Sequence, residues 1–85
     1  MRDPVVVVSY VSGTWSARVE GIAERRAFGE RHPALAWAHR WAQSNRPSLV
    51  RVCREDGAVE DEWAYGASKG IRRMGPDPAD AVVAG

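Results

Sequence analysis

Residues 31–44 read Arg-His-Pro-Ala-Leu-Ala-Trp-Ala-His-Arg-Trp-Ala-Gln-Ser, and the periodicity of this stretch decides the fold. Ala34, Leu35, Trp37, Ala38, Trp41 and Ala42 fall within roughly 160° on a helix advancing about 100° per residue, leaving His32, His39, Arg40 and Gln43 toward water. The spacing predicts one amphipathic helix. Pro33 suits its first turn, where a missing amide hydrogen does little harm, and Asn45-Arg46-Pro47 supplies the stop. Alanines on the stripe permit close approach to a sheet, while the two tryptophans, one turn apart, widen the footprint.

Both flanks of this helix read as hairpins. Val5 to Val11 has the β-branched density of a strand and meets a reversal at Ser12-Gly13; Thr14 to Glu20 then alternates, with Trp15, Ala17 and Val19 on one face. Glu24 to Phe28 forms a short third strand that brings Phe28 to the core. On the other flank, Leu49 to Arg54 and Ala58 to Tyr65 make a second hairpin around Asp56-Gly57. With Trp63 and Tyr65 toward the helix, Val59 and Asp61 share their side, and Glu60 and Glu62 face solvent. Asp61 is the awkward residue: it sits at a frayed edge, lies beside a bulge, or pairs with Arg25 or Arg26. The expected fold is therefore α+β, an antiparallel sheet of four or five short strands with one helix on one face, in the order β-β-(β)-α-β-β. Residues 1–66 form this domain. Residues 67–85, punctuated by Gly70, Gly75, Pro76 and Pro78, read as a flexible C-terminal tail, in which Asp77 to Ala84 makes at most a brief helix.

The chain has 85 residues, 12 basic against 11 acidic side chains, 45% apolar residues, four tryptophans and one cysteine, which limits it to one small domain with little room for an enclosed substrate cavity. Lone Cys53 excludes an internal disulfide, and with only His32 and His39 beside it the chain lacks the soft ligands of a structural zinc site. The run of four valines is too short for a signal-peptide core or a membrane span, so a cytoplasmic protein without cofactor or metal is expected. Lys69, Arg72 and Arg73 lie beyond Tyr65 against Asp77 and Asp80, so the small positive excess belongs to the tail.

Several of these motifs resemble a widespread bacterial family of small domains of unknown function, numbered 2188 among such domains. Trp15-Ser16-Ala17-Arg18-Val19-Glu20-Gly21 is similar to its tryptophan strand ending in Glu-Gly, and Arg26-Ala27-Phe28 to its short strand before the helix. Ala34 to Ala42 resembles its alanine-rich helix, and Leu49-Val50-Arg51-Val52, Asp56-Gly57, Glu62 and Tyr65-Gly66 resemble its closing hairpin. The likeness covers about residues 5–66. Gly29-Glu30-Arg31-His32-Pro33 departs from the family's Thr-Lys-rich helix entrance, and two helical tryptophans are seldom found in it. The resemblance implies a sheet-helix fold and no catalytic residue.

Catalytic readings find little support. His32 and His39 lie roughly 10 Å apart along the helix, too far to share one metal ion. Cys53 lacks a Cys-x-x-Cys partner and sits in a strand, where packing as a small apolar residue explains it. Glu60 and Glu62 read as a solvated strand face, and the scattered glycines as turns.

Binding readings remain. The preferred one is a non-catalytic protein-interaction or homodimerisation module whose partner-binding residues are Trp37, Trp41, His39 and Arg40. With Trp15, Phe28 and Trp63 competing for the same helix-sheet interface, a helical tryptophan is left to anchor a partner; otherwise both rings fill an irregular monomeric core. The alternative is a nucleic-acid-binding accessory protein using Arg18, Arg25, Arg26, Arg51, Lys69, Arg72 and Arg73, disfavoured because Glu20, Glu60 and Glu62 share the sheet face. A third reading is a small enzyme subunit whose site forms only on assembly. No membrane partner is expected.

Overall fold

A computed structural model describes residues 3–23, 25–67 and 70–73. The elements run β1 (Val5–Val11), β2 (Thr14–Val19), β3 (Arg25–Phe28), α1 (Arg31–Ser44), β4 (Ser48–Cys53), β5 (Val59–Tyr65) and β6 (Ile71–Arg73). The class is α+β; among the described residues one helix lies across a single sheet whose strand order is β3-β2-β1-β4-β5-β6. Among the described residues no helix is long and apolar enough to cross a membrane.

Local chemistry accounts for the elements. Ser12 and Gly13 both take positive φ, 52° and 77°, the pair of left-handed residues that a two-residue hairpin of matching twist needs. Asp56 Oδ1 accepts the Ala58 amide at 2.9 Å and Gly57 turns at φ 93°, closing the second hairpin. At the helix C-terminus, three donors satisfy carbonyls that the ladder leaves open. The Asn45 amide and the Ser48 hydroxyl both reach the Ala42 carbonyl, at 3.2 and 2.9 Å, and Asn45 Nδ2 reaches that of Trp41 at 2.8 Å.

The core is built from small residues. Ala34, Ala38 and Ala42 are wholly buried and form the ridge that meets Val6, Val8, Val50, Val52, Ala17 and Val19. Without long side chains between them, helix and sheet approach closely, and the larger groups move to the flanks. Trp15, Phe28, Leu35, Trp37, Trp41 and Trp63 all pack partly buried against this cluster.

The sheet departs from expectation in three respects. It is mixed rather than antiparallel: β1 and β4 pair in parallel, Val6 opposite Val50 and Val8 opposite Val52, with α1 in the crossover between them. Two valine-rich strands thus occupy the centre, where a run that is apolar at consecutive positions gains most from cover. Among the described residues it also has six strands, because Ile71–Arg73, expected in the tail, pairs antiparallel with β5. Residues 68, 69 and 74–85, including the segment read as a brief helix, lie outside the described residues. Finally, a register shift in the β4–β5 pairing sets Asp61 opposite Val52 but Val59 opposite Cys53. Asp61 therefore keeps the helix side with Trp63 and Tyr65, Val59 turns to the opposite face, and Glu60 reaches Arg31 of α1 rather than joining Glu62.

Ala38 tests the close approach directly. Replacing Ala38 by Leu inserts a branched side chain where no space remains, and the protein should lose about 1–3 kcal/mol of stability in urea unfolding, whereas Ala36→Leu on the exposed face should lose little.

Candidate functional site

The alanine ridge sets the position of the two helical tryptophans. On a helix, residues 37 and 41 stand one turn apart and to one side of the line through 34, 38 and 42, so their rings project over β2 and β3. There they line a groove of about 420 Å3 with Ala17, Val19, Ile22, Arg25, Arg26 and Ala27, and Arg18 on its rim. A shallower depression of about 200 Å3 continues past the same rings to Arg40, Ser44 and Asn45. The Arg26 guanidinium stands 5.9 Å from the Trp37 ring centroid, within cation–π range. Ile22 is 48% exposed at the mouth.

Among the described residues, the arginines around this groove have no carboxylate partner. Arg18 and Arg25 stand directly opposite each other across β2 and β3, and Arg26 follows on the helix side opposite Ala17. Like charges in direct cross-strand register repel. Among the described residues, no ion pair involves Arg18, Arg25, Arg26 or Arg40. The other half of the molecule is the reverse. Arg51 Nε donates to Glu62 at 2.7 Å and its Nη1 lies 3.7 Å from Glu20; Arg31 pairs with Glu60; Arg73 grips Asp61 through both Nε, at 2.9 Å, and Nη2.

The sequence-derived sites are thereby redistributed. Trp37, Trp41 and Arg40 come together, but they are joined by Arg18, Arg25 and Arg26, which had been grouped with a different reading. His39 does not belong with them. Instead of facing water it leans to the opposite flank, its Nδ1 2.6 Å from the Tyr65 hydroxyl and its ring edge-on to Trp63 at 4.7 Å, because position 39 follows the ridge on the β5 side. Arg51 is paired with Glu62 and Arg73 with Asp61; Arg72 is exposed on β6, and Lys69 lies outside the described residues. Asp61 pairs with neither Arg25 nor Arg26. Its partner is Arg73, from a segment the sequence did not mark as a strand.

The remaining reactive groups are separated. Cys53 is half-buried on the open face of the sheet, opposite to His39, and burial pushes its thiol up, away from thiolate chemistry. Among the described residues, no cluster of three His, Cys, Asp or Glu side chains is placed to hold a metal ion. The Arg73 hydrogen bonds hold the Asp61 carboxyl below the usual carboxylate range, against the opposing effect of its burial. Comparison of the chain with family models, curated proteins and solved structures found no match.

His39 offers a titration test of this placement. Burial lowers its pKa below the ordinary 6.5, and the nearby Asp61 charge partly restores it. The folded state thus favours the neutral ring. This contribution to stability is present above pH 6.5 and is lost as pH falls through the folded-state value. By NMR, His39 should titrate below 6.5, and Asp61→Asn should move it lower still; a midpoint at or above 6.5 would contradict the burial.

Proposed function

We propose that the chain is a non-catalytic protein-interaction module whose working surface is the groove between α1 and β3. One observation supports this above the others: Trp37 and Trp41 line a single groove with Arg18, Arg25 and Arg26, and none of those arginines has a carboxylate partner among the described residues. Tryptophan and arginine are the side chains that most often dominate the energetics of protein interfaces, and here Trp37, Trp41 and Arg26 meet at one concavity, with Arg18 and Arg25 beside it on the open face of β2 and β3. The resemblance to family 2188 belongs to the same reading. Its quoted motifs fall on β2, β3, α1, β4 and β5 in chain order, and it implies no catalytic residue.

Self-association through the β3 edge is disfavoured by its charge. Two copies pairing along Arg25–Phe28 would bring four arginines together without an acid between them, the kind of edge that discourages strand pairing with itself. A nucleic-acid reading keeps Arg18, Arg25 and Arg26 but loses Arg51 and Arg73 to Glu62 and Asp61. The remaining charge is a short cluster rather than a track along a polymer.

Selection of peptides from a random display library against the folded protein tests the module. Peptides that bind should shift the Trp37 and Trp41 indole signals in NMR spectra, and Trp37→Ala and Trp41→Ala, checked for folding by circular dichroism, should each weaken them by at least about tenfold. Binders that map elsewhere or ignore both substitutions would contradict this surface. Light scattering across a tenfold concentration range should report a monomer; a dimer abolished by Trp37→Ala would assign the groove to a second copy.

A further inference from the structure

Resting on the interaction-module reading, we infer that the groove's partner is an extended protein segment of alternating acidic and apolar residues, added to the sheet beside β3. Three features converge on that occupant. The first is the edge itself. Among the described residues β3 ends the sheet and is exposed along most of its length, so half of its backbone donors and acceptors point outward, a template that an extended peptide completes and a nucleic acid does not.

The second feature is the alternation of the two faces. Arg25 and Ala27 lie on the open face of the sheet, in line with Arg18, whereas Arg26 and Phe28 lie on the helix face, opposite Ala17 and Trp15. A strand laid along this edge alternates likewise. Its side chains on the open face approach the Arg18–Arg25 pair, and those on the other face approach the mouth of the groove, with Ile22 and the tryptophans behind Arg26.

The third feature is charge. Arg18 and Arg25 stand in repulsive register in the chain alone, so a carboxylate placed beside them removes a repulsion as well as forming charge-assisted hydrogen bonds. Elsewhere Arg51, Arg31 and Arg73 are each answered by a carboxylate from β5. Acidic residues alternating with apolar ones satisfy both faces at once. A uniform polyanion would satisfy only one.

Four probes test the inference on the full chain by fluorescence anisotropy: acetyl-Val-Glu-Val-Asp-Val-Glu-Val-amide, its Gln/Asn counterpart, the acidic peptide with alternate backbone nitrogens methylated, and a short oligothymidylate. The acidic peptide should bind at least about tenfold tighter than the Gln/Asn form, weaken as salt rises, and lose about tenfold with Arg25→Gln and with Arg18→Gln, while Arg72→Gln on the far edge changes little. Backbone methylation should abolish binding, and the bound peptide should slow hydrogen exchange at β3 amides. Equal binding of the Gln/Asn form in the groove would overturn the acidic partner yet leave the interaction module standing, as equal binding of the methylated form would overturn strand addition. Tighter binding of oligothymidylate, lost with the same arginine substitutions, would overturn the inference and the module together. Failure of all four probes, with library-selected peptides still binding at the tryptophans, would overturn this partner class alone.

Discussion

The contact between the Ala34, Ala38 and Ala42 ridge and the paired valines of β1 and β4 sets everything else in the molecule. A methyl-sized ridge lets the helix sit close to the sheet, so bulky groups cannot lie beneath it and are displaced to either side. On one side His39 closes against β5, where the imidazole is joined to Tyr65 and Trp63. On the other, Trp37 and Trp41 hang over β2 and β3, and the groove is the space they bound. The same packing that makes the core thus makes the concavity.

Electrostatics divide along the same line. β5 carries Glu60, Asp61 and Glu62, and the register shift fans them in different directions: Glu60 to Arg31 on the helix, Asp61 to Arg73 on the edge strand, Glu62 to Arg51 on the open face. Three neighbouring acids thereby neutralise three separate elements and tie β6 to the sheet. β2 and β3 have no such donor of negative charge among the described residues. Their arginines remain in mutual repulsion around two half-buried tryptophans, a local conflict of the kind that folded proteins retain where a surface is used.

Much of the fold was legible because single residues carry strong local rules. Ser12-Gly13 and Asp56-Gly57 mark their turns by the conformations they admit, and the periodicity of residues 31–44 marks α1 from end to end. The parallel pairing was harder, since nothing in a strand's own sequence states its neighbour; yet Val5-Val6-Val7-Val8, apolar without alternation, is the signature of a central strand rather than of a hairpin edge. Ile71–Arg73 is too short to show a period and depends on the Arg73–Asp61 bridge, a tertiary contact. Of the site, the tryptophans and arginines could each be named, but not their union. Trp15, Ala17 and Val19 showed which way β2 faces, whereas the flank on which Trp37 and Trp41 fall depends on how α1 lies across the strands. His39 was assigned to water by periodicity alone; its neighbour Tyr65, which needs a hydrogen-bond partner when buried, was the available signal.

Methyl nuclear Overhauser spectra of protein labelled at alanine and valine test the central contact most directly. Cross-peaks should connect the Ala34, Ala38 and Ala42 methyls to those of Val6, Val8, Val50 and Val52, with the Trp37 and Trp41 ring protons coupled to Ala17 and Val19 on β2. Tryptophan rings coupled instead to the β4 valines, with the alanine methyls silent toward the sheet, would show a helix turned about its axis and would contradict both the ridge and the groove it opens.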